Sequence, residues 1–189
     1  MPSLDETFDA FLEHLRQPDI LNPARSDPFF YFVHPPSESL QVKQKLSVWS
    51  SFLRNDGWEV QDVSLGDLVW EIIKESGRWE EWLTLEPTAD QQDVNDAITD
   101  VLRSGNSLVH AVSKRVSIAR PQTVVFLTDA AVLHPYFRAR ALEAGLHDNI
   151  KVPTVLFYPG RRSGQYGLHF LGFYPFDGNY RSTLIGGLE

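Results

Sequence analysis

Two apolar runs joined by a helix-length segment do most to constrain the fold of this chain. Residues 124–127 (VVFL) and 155–158 (VLFY) are rich in β-branched and aromatic side chains, and a helical pattern from about Pro135 to Leu146 lies between them. Continuous apolar runs are typical of parallel strands that are buried on both faces, with the helix as their crossover connection. The stretch supplies the roughly 30 residues that such a unit needs, so the sequence predicts an α/β fold.

Further strands and helices are predicted on either side of this unit. Residues 29–33 (FFYFV) form a short apolar strand, residues 58–63 (WEVQDV) alternate as a strand near a sheet edge would, and residues 168–172 (LHFLG) are strand-like. From 66 to about 120, apolar residues recur at helical spacing over too long a stretch for one crossover helix. The predicted fold is α/β, with a mostly parallel sheet of four to five strands flanked by helices. It is Rossmann-like or degenerate P-loop-like, with a helical insertion around 66–120.

Capping boxes indicate where two of the helices begin, since a Ser or Thr is followed three residues later by Glu or Gln. Ser3 with Glu6 would open a helix at the start of the chain, and Thr88 with Gln91 would open one inside the insertion. The chain has 189 residues and shows no internal repeat or linker. We therefore expect a single α/β domain over residues 1–189.

The charge of the chain is unevenly distributed along its length. The formal net charge is −8, to which residues 1–133 contribute −10 and residues 134–189 contribute +2. Wrapping nucleic acid requires a broad positive surface, so this distribution disfavours direct DNA binding. The first residues do not resemble a signal peptide, and no apolar run approaches the ~18 residues of a membrane span. We expect a cytoplasmic protein without membrane contact.

No complete catalytic set is visible in the sequence. There is no cysteine, no GxSxG or HExxH motif, and no histidine pair at the spacing of a helical zinc site. Asp129 ends an apolar strand, as the magnesium-positioning aspartate of P-loop enzymes does. However, Pro35 and Pro36 follow the first strand and have no N–H to offer a phosphate, and Ala130 stands where a water-activating glutamate is expected. We therefore expect no enzymatic activity, no cofactor and no metal ion.

Two of the side chains that follow the first apolar run are nevertheless candidate contacts for a ligand or a phosphate group. Asp129 and His134 follow the carboxyl end of a strand, which is where α/β proteins usually place their sites. The chain order of strands and helices also fits a P-loop-like sheet. This leaves open an alternative function, a degenerate nucleotide- or phosphate-binding domain without hydrolysis.

Arginines in the less acidic last third are candidate partner contacts, namely Arg138, Arg161, Arg162 and Arg181. Arg138 is predicted on the first turns of the helix between the two apolar runs. Arg161 and Arg162 are predicted on a solvated loop, because the second run ends at a Pro-Gly break. Guanidinium groups so placed can bind acidic partners or phosphate. The alternative is that they are ordinary surface charges or internal ion pairs, for instance Arg138 with Asp129.

Aromatic residues follow closely on one another near the carboxyl end of the chain: Phe170, Phe173, Tyr174, Phe176 and Tyr180. Most of them are expected in the core, where they would cover the sheet edge. Any that are exposed would add to a partner-binding surface, since aromatic and arginine side chains are enriched at interface hot spots.

These segments together resemble the BrxB family of bacterial BREX phage-defence systems. The resemblance is carried by residues 124–146, 152–172 and 177–187 and is densest from Val124 to Arg181, and FFYFVHPP with WEVQDVSLGDLVWEI near the start fits the same family. It implies a small cytoplasmic, non-enzymatic component of a multi-protein defence complex. The partner that it implies is the alkaline-phosphatase-like PglZ protein or another BREX protein, and no catalytic residue is carried over from it. The first hypothesis is therefore an interaction or scaffold protein, whose oligomeric state the sequence does not specify.

Overall fold

The computed structural model describes residues 2–17, 20, 28–147, 149–178, 180 and 182–187. The helices within these residues are α1 Leu4–Leu15, α2 Ser39–Asn55, α3 Leu65–Glu75, α4 Trp79–Leu85, α5 Gln91–Arg103, α6 Ser107–Ser117 and α7 Ala139–Leu146. The strands are β1 Phe29–His34, β2 Glu59–Ser64, β3 Thr123–Thr128, β4 Thr154–Ser163, β5 Gly167–Phe170 and β6 Thr183–Gly186. None of these helices combines the length and apolar character needed to cross a bilayer.

Five of the strands form a parallel sheet in the order β2-β3-β4-β1-β6, and β5 pairs antiparallel with the end of β4. The predicted parallel pair is confirmed as β3 and β4, with Leu127 opposite Leu156. The predicted fold class is also confirmed, although the sheet has one strand more than expected. That strand, β6, is only four residues long and lies among turn residues, so its pairing with β1 left no periodic signal.

Both faces of the sheet are covered, which explains the continuous apolar runs. All six residues of β1 are buried. On one face, α1 and α2 bring Phe8 and Trp49 together, with ring centroids 4.9 Å apart, and Trp49 stacks on Phe157 of β4 at 5.9 Å. On the other face, α3, α6 and α7 bury the alternate side chains of β1, β3 and β4, such as Tyr31.

Four helices, α3 to α6, separate β2 from β3 and confirm the predicted helical insertion. The capping box at Ser3 and Glu6 is present at the start of α1. The box predicted at Thr88 and Gln91 is wrong. Thr88 lies in a 3₁₀ turn, and Asp90 caps α5 by accepting a hydrogen bond from the backbone N–H of Gln92. An extended residue with a short acceptor is required at that position, and Asp90 meets the requirement directly before the helix.

The connection from β3 to α7 differs from its prediction in a way that places the candidate site. The helix begins at Ala139 rather than near Pro135, because residues 130–133 form a 3₁₀ turn and His134 is extended. A residue that precedes proline is biased away from helical conformation, which accounts for His134. Arg138 is therefore not on a helical turn but is the extended residue directly before α7.

Candidate interaction surface

The carboxyl ends of the parallel strands lie at one edge of the sheet, but β4 does not end there. It runs on to Ser163 and pairs with β5, so Arg161 and Arg162 lie on a strand, and the predicted loop at the Pro-Gly break is wrong. Gly160 allows the change of partner, because a Cβ atom at this position would lie 2.4 Å from the carbonyl oxygen of His169. A two-stranded arm therefore projects from the sheet edge.

Tyr174, just after this arm, is the centre of a group of cationic and aromatic side chains. The Arg138 guanidinium lies over the Tyr174 ring, with 4.2 Å between its Cζ atom and the ring centroid. His134 Nδ1 is hydrogen-bonded with the Tyr174 hydroxyl. The Phe173 ring stacks on Tyr174 at 4.9 Å and meets the His134 ring edge-on at 5.4 Å. We call these four residues, His134, Arg138, Phe173 and Tyr174, the strand-end cluster.

The cluster lies at the surface. Phe173 is 67% exposed, and His134 and Arg138 are exposed as well. Phe176, two positions after Tyr174 in the chain, is 59% exposed, whereas Phe170 and Tyr180 are buried. The aromatic tail that the sequence singled out is therefore divided between core and surface, and the exposed part lies next to a candidate arginine.

The remaining candidate arginines have different surroundings. Arg161 is exposed and donates a hydrogen bond to the carbonyl oxygen of Gly172 at 3.0 Å. Arg162 donates to three carbonyl oxygens, at 3.1 Å to Gly164, 3.1 Å to Leu184 and 3.3 Å to Gln165. The expectation that both side chains remain solvated is therefore wrong for Arg162, which ties the arm to β6. Arg181 lies outside the described residues.

The role of Arg162 leads to a first prediction. Arg162→Ala should lower the free energy of unfolding by about 1–3 kcal/mol, since three carbonyl groups lose a charged donor. Arg140→Ala is the matched control, because Arg140 forms a half-exposed ion pair with Asp177 at 3.2 Å, and pairs of this kind contribute about 0–1 kcal/mol. Urea denaturation followed by circular dichroism measures both changes. Equal midpoints for the two variants would contradict a structural role for Arg162.

Asp129 also has a different partner from the one considered for it. Its carboxylate accepts a hydrogen bond from Ser64 Oγ at 2.9 Å and pairs with Lys43 at 3.3 Å, so the pairing with Arg138 is wrong. The adjacent cleft has a volume of about 110 Å³. Small-molecule sites commonly have volumes of about 300–1,000 Å³, so this cleft has little room for a nucleotide.

His34 also lines this cleft, and burial lowers the pKa of its imidazole, although a hydrogen bond with the Pro35 carbonyl oxygen acts in the opposite direction. A buried neutral imidazole adds no positive charge for a phosphate. Asp129 and His134, which the sequence paired as ligand contacts, bond to different neighbours. Across the described parts of the chain, no three His, Asp or Glu groups are arranged to hold a metal ion.

The fold and its surface define an α/β domain of Rossmann-like class that presents cationic and aromatic side chains at the edge of its sheet. A family model described as BREX protein BrxB matches residues 61–185, which is more than half of the chain. The chain therefore belongs to the BrxB family and is a component of a BREX phage-defence system, as the sequence resemblance implied. No curated protein and no solved structure matches it.

Proposed function

We propose that this chain is a non-enzymatic interaction protein that binds PglZ, or another BREX protein, through the strand-end cluster. The observation that carries the proposal is the exposed Phe173 stacked on Tyr174, with Arg138 held on the same ring. Tyr, Phe and Arg are the side chains in which interface centres are enriched, whereas isolated exposed apolar residues are common on any surface. An exposed phenylalanine and an arginine that both contact one tyrosine ring are therefore the feature that favours binding.

The geometry also reduces the entropy that binding would cost. A free arginine side chain loses rotamer freedom when it is immobilised at an interface, which costs about 0.5–1.5 kcal/mol. Arg138 already rests on the Tyr174 ring, and Tyr174 is held by His134 and Phe173. The cation is thus oriented before a partner arrives. A carboxylate on the partner that excludes water from Arg138 would gain more than an exposed ion pair does.

The test of this proposal is co-expression with the cognate PglZ, followed by size-exclusion chromatography and a binding titration. We expect the parent chain to co-elute with PglZ. Arg138→Ala combined with Phe173→Ala should weaken binding by more than about tenfold, because both side chains are truncated at the centre of the contact. Both residues are exposed, so the melting temperature should hardly change.

Phe52→Ala is the matched control, because Phe52 is 57% exposed near the end of α2, whereas the cluster lies at the edge from which α2 starts. It should leave binding unchanged. Separate elution of the parent chain from PglZ and from the other BREX proteins would remove the proposal. Normal binding by the double variant would move the contact away from the cluster.

A further inference from the structure

Helix α4 is unusual because it buries none of its side chains. Its seven residues include Trp79, Trp82, Leu83 and Leu85, and all four are at least partly exposed. A short helix gains most of its stability from packing an apolar face, so an uncovered apolar face indicates missing contacts. Trp79 and Trp82 are half-buried against the core, whereas Leu83 and Leu85 are 46% and 51% exposed and are available to a partner.

Neighbouring helices add to the same surface and turn it into a groove. Trp70 of α3 is 51% exposed and meets Trp79 edge-on, with ring centroids 5.8 Å apart. The half-buried face of α5, which includes Val94 and Ile98, forms the opposite wall. The space between these helices has a volume of about 270 Å³. We call it the tryptophan groove, and its lining is predominantly aromatic and aliphatic.

The charges around the tryptophan groove are predominantly negative, with Glu86, Asp93 and one cation, Arg78, in its lining. Residues 79–102 contain seven Asp or Glu residues and no Lys or Arg. All seven carboxylates are exposed, and within the described part of the chain none of them forms an ion pair. Arg78, just before this stretch, is held over the Trp82 ring at 5.4 Å. The groove is thus lined mainly by apolar side chains, with Glu86 and Asp93 in its lining and an acidic stretch of chain around them.

We propose that the tryptophan groove is a docking site for an amphipathic helix of a partner protein, with apolar side chains on one face and Lys or Arg flanking them. Grooves between helices accept helices through apolar anchors at i, i+3, i+4 and i+7. The unpaired carboxylates select a basic helix by charge complementarity and raise its association rate at low salt. The same charges repel an acidic helix and an anionic lipid surface.

This inference rests on the proposed function only in requiring that the chain be an interaction protein. It adds a second surface with the opposite electrostatic preference, because the strand-end cluster presents cations and the groove presents carboxylates. The two surfaces belong to different parts of the fold, one at the sheet edge and one on the helical insertion. Each can therefore be tested without the other.

The test uses two synthetic helical peptides that share leucines at i, i+3, i+4 and i+7 and differ only in having lysine or glutamate elsewhere. We expect the full chain to bind the lysine peptide at micromolar concentration by fluorescence anisotropy, to bind it more weakly at high salt, and not to bind the glutamate peptide. Leu85→Ser should weaken binding of the lysine peptide by about tenfold. Glu86→Lys with Asp93→Lys should abolish the preference for it.

Phe52→Ser is the control, because it removes a comparably exposed apolar side chain from α2. No binding of the lysine peptide, equal binding of both peptides, or equal loss in the Phe52 control would overturn the inference. Concentration-dependent self-association of the parent chain that Leu85→Ser abolishes would also overturn it, since a second copy would then occupy the groove. None of these measurements involves PglZ, so failure of the proposed function leaves the peptide result standing, and the reverse also holds.

Discussion

Leu156→Ala should lower the free energy of unfolding by about 2–5 kcal/mol, the range for removing a fully buried leucine side chain. Leu156 has no exposed surface and lies in the part of β4 that pairs on both sides, opposite Leu127 of β3 and Tyr31 of β1. Both neighbours are fixed by hydrogen-bonded strands, so the backbone has little freedom to close the cavity. The cost should therefore include both the lost apolar burial and the empty space.

Urea denaturation followed by circular dichroism measures this change, and Leu40→Ala is the matched control. Leu40 lies in the first turn of α2 and is 68% exposed, so its truncation should change the stability by less than about 0.5 kcal/mol. Under conditions in which the Leu156 variant remains folded, PglZ binding should be unchanged. Similar unfolding midpoints for both variants would contradict the position of Leu156 at the centre of the sheet.

Glu143→Ala should destabilise the protein by about 3–5 kcal/mol, because a buried acceptor disappears while its donors remain. The Glu143 side chain, on the buried face of α7, accepts hydrogen bonds from the Tyr31 hydroxyl at 3.0 Å and the Ser182 N–H at 3.1 Å. The Ser182 hydroxyl donates to the same carboxylate. Burial, together with the nearby Glu143 charge, raises the pKa of Tyr31 well above its usual value, so the phenol stays protonated and donates.

Two further substitutions separate the loss of the acceptor from other effects of changing a glutamate. Glu143→Gln keeps the shape of the side chain and one acceptor oxygen. Its loss in free energy of unfolding should therefore be about 1–2 kcal/mol smaller than that of Glu143→Ala. Glu71→Ala removes a half-exposed carboxylate that pairs with Arg115 at 2.9 Å, and its effect should stay below about 1 kcal/mol. Unfolding in guanidinium chloride measures all three. An alanine variant at position 143 as stable as the parent would contradict the buried network.

The architecture of the sheet could be predicted because its strands are buried on both faces. Such strands have no solvent side on which polar residues could alternate, so β1, β3 and β4 appear in the sequence as unbroken apolar runs. The helical insertion could be predicted for a related reason. Three of its helices, α3, α5 and α6, place buried residues on the core, and their apolar residues recur at the helical period.

The candidate surfaces depended on contacts that no local pattern records. Arg138 reaches Tyr174, which is 36 positions further along the chain, and the Tyr31–Glu143 hydrogen bond joins residues 112 positions apart. A guanidinium in a sequence looks the same whether it rests on an aromatic ring, as in Arg138, or binds three carbonyl groups, as in Arg162. Only the packing of the arm against β6 and of the β3–α7 connection against Tyr174 distinguishes them.

Burial therefore separates what the sequence alone determines in this chain from what only the tertiary structure decides. A strand or helix that packs on the core must be apolar where it does so, and its amino-acid composition shows this. The clearest case is β1, all six residues of which are buried. Short or exposed elements such as β6 and α4 carry no such requirement. The position of such an element is set by the elements that pack around it. Its contacts join residues that are distant in the chain, so no local sequence pattern records them.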